Sequence, residues 1–231
     1  MRGIDKYPVS RLESFSDAVF ALSATFLIVS LDFKLSLEQL LHSFSGIFAF
    51  ALSFTMLVFL WTQHNSFFRR YGIHDRTILL WNSIFLFVVL FYVHPLRFLA
   101  EALATVFFQI DTNTSIEFSL RNTRLLFVIY SGGFVVVFLC LSQFYLHAVR
   151  SKHKSSLSWI EEFDAITSAQ FHTVFVLVGL FSLILAVFNL GVKYGLPGWI
   201  YMVLGPALYL HGRLRRKKRD QLEVEYIENT E

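Results

Sequence analysis

The feature that most limits the fold is the segregation of charge: apolar runs of about twenty residues recur along the chain, and Lys and Arg fall mainly in short clusters between them. A helix rising about 1.5 Å per residue needs a run of that length to cross the hydrocarbon core of a bilayer. Measured that way, the 231-residue chain contains six spans, at about 14–33, 43–65, 77–100, 122–148, 166–190 and 196–213. Composition agrees. With 55% hydrophobic residues, 27 Phe and a mean hydropathy of +0.55, the chain carries more apolar surface than one soluble core of this length would bury. The expected class is an all-α integral membrane protein, with a transmembrane domain over 1–213 and a basic then acidic tail over 214–231.

Arg2, Lys6 and Arg11 precede the first apolar run as they would in a secretory leader, but the run passes through "ALSA" and continues to Asp32. A leader has a shorter apolar region that ends at a small-residue cleavage site, so this segment is expected to be a span. The charge clusters set the orientation. Arg2, Lys6 and Arg11, then Arg69, Arg70 and Arg76, then Arg150, Lys152 and Lys154, then Arg213, Arg215, Arg216, Lys217, Lys218 and Arg219 all fall on one side, fifteen of the twenty basic residues. Lys34, Arg97, Arg121, Arg124 and Lys193 fall on the other. By the positive-inside rule both termini are cytoplasmic. The long outer connection runs from about Pro95 to Arg121. The block "RLRRKKRD" beyond the last span is expected to meet anionic lipid, and nucleic acid is not an expected partner of one short run at a membrane edge.

Ionisable groups inside a membrane segment are costly and mark candidate sites. Asp17 lies near the start of the first span, with Arg11 and Glu13 ahead of it. A carboxylate in a first turn can cap amide groups and suit the helix dipole, and it can equally serve an ion or proton. Farther along, Leu22, Thr25, Phe26 and Val29 recur at i, i+3, i+4, i+7 and share one stripe, which fits lipid or neighbour contact as well as a pore. Ser16, Ser23 and Ser30 recur every seven residues on the adjacent stripe, where small hydroxyl residues let helices pack closely. In the second span Trp61 and His64 share a face, and in the third Asn82 lies a turn inside. Asp17, His64 and Asn82 are thus expected near one membrane level, as a polar cluster between three helices.

Other chemistries lack their residues. Cys140 is the single cysteine, so no intrachain disulfide or CxxC pair exists. His42, His74, His94, His147, His153, His172 and His211 are scattered, without an HxxxH or HExxH pair. There is no glycine-rich phosphate loop, no GxSxG turn and no TVGYG filter. Neither an enzyme activity, a resident metal nor a cofactor is expected.

The segment "RLESFSDAVFALSAT" fits an RxxxFSD signature through Arg11, Phe15, Ser16 and Asp17, and "WTQH" and "LLWNSIFLFVVLFYVHP" continue the pattern into the next two helices. Over about its first 100 residues the chain thereby resembles the endosomal and lysosomal potassium channel family of transmembrane protein 175 and its bacterial homologues, and beyond them it is similar in topology. The resemblance implies a homotetramer, with the first helix of each subunit lining an axial pore for K+ and bulky apolar side chains in place of a carbonyl filter. On this sequence Leu22 becomes the first apolar ring, Thr25 a hydroxyl layer, and Phe26 and Val29 the next positions. Arg11, Phe15, Ser16, Asp17, Trp61, His64 and Asn82 become the anchor of that helix. Position 26 usually holds an aliphatic residue in the family; here it is Phe, whose ring could fill the path or turn aside. Two alternatives are a proton-coupled transporter using Asp17 and His64, and a non-conducting membrane scaffold.

Overall fold

The computed structural model describes residues 9–29, 47–108, 119–151 and 157–228. Among them the regular structure is entirely helical: α1 (Arg11–Val29), α2 (Ile47–Tyr71), α3 (Arg76–Phe108), α4 (Leu120–Arg150) and α5 (Trp159–Val187), then short helical turns and α6 (Leu196–Trp199), and finally α7 (Leu204–Glu228). Three of these are long and apolar enough to cross a membrane: α3 over Arg76–Leu96, α4 and α5. The junction of the first two expected spans (30–46, with Ser30, Lys34 and His42), most of the outer connection, and Lys152, His153 and Lys154 lie outside the described residues.

Local chemistry fixes several helix ends. Ser10 and Glu13 form a capping box at the start of α1: Glu13 N donates to Ser10 Oγ at 3.2 Å, and Ser10 N donates to Glu13 Oε1 at 2.9 Å. Ser158 and Glu161 repeat the device at α5. Asp75 Oδ1 accepts from Ile78 N at 2.9 Å and starts α3. Gly72, at φ 58°, takes the left-handed conformation that ends α2, and Gly72 N donates to Phe68 O at 2.9 Å. After α5 the chain turns through Asn189 at φ 57° and Gly191 at φ 67°; a Cβ on Gly191 would lie 2.8 Å from Leu196 Cβ.

Two boundaries differ from the sequence expectation. α3 passes through Pro95 and runs on to Phe108, so the outer connection is shorter than 95–121. Proline removes a single intrahelical bond, and "LRFLAEALATVFF" after it consists mostly of good helix formers, so the helix resumes. The sixth expected span is not one helix from its start: a 3₁₀ stretch, Ile200–Val203, separates α6 from α7, and α7 continues past Arg213 into the tail as far as Glu228.

The chain divides into two compact units, 1–123 and 124–231. In the first, α1, α2 and α3 pack on one another around Leu27, Phe67, Phe68, Ile78 and Phe85, all fully buried. In the second, Cys140, Leu141, Phe144, Ala165 and Ala186 are fully buried, and the rings of Phe138 and Phe175 stack with centroids 4.2 Å apart. Packing of this density gives each unit a fixed set of helix faces, and those faces decide which polar groups can meet.

Candidate functional site

α1 has two faces of opposite character. Glu13, Ser16, Phe20, Ser23 and Leu27 are buried, at alternating spacings of three and four, so they form one stripe against α2 and α3. The two buried serines spend their hydroxyl protons within the helix: Ser16 Oγ donates to Leu12 O at 2.8 Å and Ser23 Oγ to Val19 O at 2.9 Å. They therefore need no outside acceptor and take little room, which lets the neighbouring helices come close. On the other side Phe15, Ala18, Leu22, Thr25 and Phe26 are exposed. The side chain of Val29 lies outside the described residues.

The buried face is tied down by a directed chain of hydrogen bonds. His64 Nε2 and Asn82 Oδ1 are 2.7 Å apart, and Asn82 Nδ2 donates to Ser16 Oγ at 3.0 Å. With the amide nitrogen committed to Ser16, the amide oxygen is left to accept, so His64 carries its proton on Nε2. Donors then run from α2 through α3 to α1: His64 to Asn82, Asn82 to Ser16, Ser16 to Leu12 O. All three side chains are essentially inaccessible to solvent. Each such bond contributes about 1 kcal/mol net, while leaving a buried partner unmatched costs about 1–3 kcal/mol, so the chain acts more as a register lock than as a source of stability. Phe20, Phe68 and Phe85 enclose the imidazole, with centroids 5.7, 4.7 and 5.4 Å from its own.

Asp17 makes a separate tie. Trp61 Nε1 donates to Asp17 Oδ1 at 2.8 Å, at the exposed rim of the same helices. Glu13, not Asp17, caps the start of α1, and Asp17 reaches across to α2. Asp17 and His64 thus take different partners, although both belong to the joint between α1 and its neighbours. Of the other signature residues, Arg11 is exposed and Phe15 is 62% exposed.

Two participants escaped the sequence reading of the site. Glu13 is 5% exposed, accepts from both Ser10 N and Ser10 Oγ, and its Oε1 lies 3.5 Å from His74 Nε2 in the turn between α2 and α3. The Ser10-x-x-Glu13 spacing signals the cap, but nothing local signals the contact with a residue 61 positions away. The second is His94 on α3, whose ring centroid lies 6.2 Å from that of Phe26. No cluster of three or more His, Cys, Asp or Glu side chains suited to a metal occurs among the described residues.

The chain is similar to known proteins in sequence and in fold. Residues 11–92, which span α1, α2 and half of α3, match the model of a family described as the endosomal/lysosomal potassium channel TMEM175. Over 222 residues the chain is 34% identical to a potassium channel of Marivirga tractuosa, covering 92% of this chain and 90% of that one. It is 25% identical over 166 residues to a potassium channel of Chamaesiphon minutus, covering 68% and 74% of the two chains. Among solved structures, a crystal structure of a variant of the potassium channel MtTMEM175, in complex with a Nanobody-MBP fusion protein, superimposes with a TM-score of 0.81 at 34% identity, over 91% of this chain and 94% of that one. The likeness in sequence therefore reaches well past the first 100 residues, into α4, α5 and beyond.

Proposed function

The chain belongs to the TMEM175 family of potassium channels, and from that premise we propose that it is itself a potassium-permeable cation channel of a bacterial inner membrane, with no enzyme activity and no cofactor. It assembles as a homotetramer in which four copies of α1 surround the conduction path. The observation that carries this reading is the uncovered face of α1. The helix is held from one side by Ser16, Asn82 and His64, while its opposite side offers solvent two large apolar side chains, Leu22 and Phe26, with Thr25 between them. A helix fixed along one stripe and bare along the other is suited to face copies of itself around an axis.

The mechanism follows from the side chains. Leu22 forms an apolar ring that water leaves readily, so its radius decides whether ions pass. Thr25 spends its hydroxyl proton on Ala21 O at 2.9 Å, which frees the oxygen lone pairs to replace part of an ion's water shell. Phe26 holds its ring centroid 6.2 Å from that of His94, a position that supports flanking the path over plugging it. Arg11, Phe15 and Asp17 form the cytoplasmic rim of α1 together with Trp61 of α2, the first two turned toward the neighbouring subunit. Six spans, both termini in the cytoplasm and anionic lipid at the basic block complete the proposed arrangement.

Potassium flux into liposomes bearing the purified protein tests this reading. Leu22→Ala and Phe26→Ala should each change the flux severalfold, whereas Leu177→Ala, which alters a still more exposed leucine of α5, should leave it at the wild-type rate. Equal rates in all three would rule out a path along α1.

A further inference from the structure

The basic block of α7 is not one uniform patch, because part of it is already engaged within the second unit. His211 Nε2 lies 3.4 Å from Gln170 Oε1, and Arg215 Nε donates to Thr167 Oγ1 at 2.9 Å while its guanidinium covers the ring of Phe163 at 4.1 Å. Arg219 Nη1 pairs with Asp164 Oδ1 at 3.5 Å. His211, Arg215 and Arg219 recur every four residues and so occupy one face of α7, clamped along the start of α5. Arg213 and Lys217 stand two residues off that row, about 200° around the helix, and Arg216 lies beside them; all three are exposed.

Along this outward face the chemistry changes in a fixed order. Tyr209 is 72% and Leu210 57% exposed; about 6 Å farther on come Arg213, Arg216 and Lys217, and then the exposed Asp220 reverses the sign. An aromatic and apolar zone followed by a basic one, on a helix held rigidly by its other face, matches the depth profile of a bilayer's edge: acyl chains, glycerol level, then phosphates. Resting on the reading that α7 leaves the membrane here, we infer that Arg213, Arg216 and Lys217 form a binding site for the phosphate of an anionic membrane lipid, and that Arg215 and Arg219 of the same run take no part in it.

The test uses the full-length protein in detergent, titrated with dioleoylphosphatidylglycerol against dioleoylphosphatidylcholine and read by native mass spectrometry. Each basic group near a membrane surface contributes about fivefold to anionic-lipid binding, so Arg213→Gln with Lys217→Gln should lower the preference for phosphatidylglycerol roughly twenty-five-fold, and Arg216→Gln alone about fivefold. The pair Arg215→Gln with Arg219→Gln removes the same charge from the clamped face and should lower the preference by less than threefold. Equal losses in the two pairs would mean that net charge alone attracts the lipid, and an unchanged preference in Arg216→Gln and in the outward pair would remove the site altogether. Displacement of the lipid by millimolar inorganic phosphate would likewise overturn it, by making the ligand free phosphate. Potassium flux of the same wild-type preparation in liposomes reads the channel function separately, so failure of one reading is not mistaken for failure of the other.

Discussion

Residues 1–123 and 124–231 both bury polar groups among apolar helices, but they arrange them differently. In the first unit the chain from His64 through Asn82 to Ser16 draws one side chain from each of three helices. In the second unit Ser131 and Ser182 share a 2.8 Å contact, Ser182 also donates to Pro197 O at 2.8 Å, and Tyr201 caps the group by donating to Ser131 at 3.1 Å. Hydroxyls are small and can rotate to find another acceptor; an amide wedged between an imidazole and a serine cannot. The first arrangement fixes the rotation of α1 about its own axis, and hence which residues its free face presents. The second holds helices together without dictating an outward face.

Mutations can break that contrast. Asn82→Ala should be the most damaging change, since it strands His64 and Ser16 together and leaves a cavity: about 3–5 kcal/mol, seen as a fall of many degrees in the melting temperature of the purified protein. Gly179→Ala comes next. Its new Cβ would lie 2.9 Å from both Phe134 Cδ1 and Val135 Cγ2, forcing a shift worth about 1–3 kcal/mol, which is a loss of packing in the second unit without any loss of polar contact. Ser182→Ala should cost about 1–2 kcal/mol by the same thermal assay, because Ser131 and Tyr201 remain to pair with each other. Asp17→Asn should be the mildest, under about 1 kcal/mol, because the tie to Trp61 is exposed and an amide oxygen can still accept from the indole. If Ser182→Ala proves as harmful as Asn82→Ala, the distinction between a lock and a glue fails.

Much of this was legible in advance, for reasons that also mark where legibility stops. Apolar runs pointed to an all-helical chain because bilayer thickness and helix rise are fixed lengths. They did not locate the ends of α3 or the break before α7, since Pro95 alone does not stop a helix whose following residues favour it, and a 3₁₀ stretch such as Ile200–Val203 leaves no mark in hydropathy. Depth along each helix brought Asp17, His64 and Asn82 to one level. Depth could not tell that Asp17 would take Trp61 while Asn82 bridged His64 and Ser16, because periodicity assigns faces, not partners. The roles of Glu13 beside His74 and of Phe26 against His94 depend on contacts distant in sequence and were invisible for the same reason.

The central claim, that the bare face of α1 lines the conduction path, is open to a direct chemical test. Cys140 is the protein's single cysteine and is buried, so a Cys140→Ser background supplies a chain without thiols. Into it Leu22→Cys, Thr25→Cys or Leu177→Cys is introduced, and potassium flux in liposomes is followed while a charged, thiol-reactive methanethiosulfonate is added. The account predicts that the reagent blocks flux through the Leu22→Cys and Thr25→Cys proteins and spares Leu177→Cys; block at Leu177→Cys with none at Leu22→Cys and Thr25→Cys would contradict it.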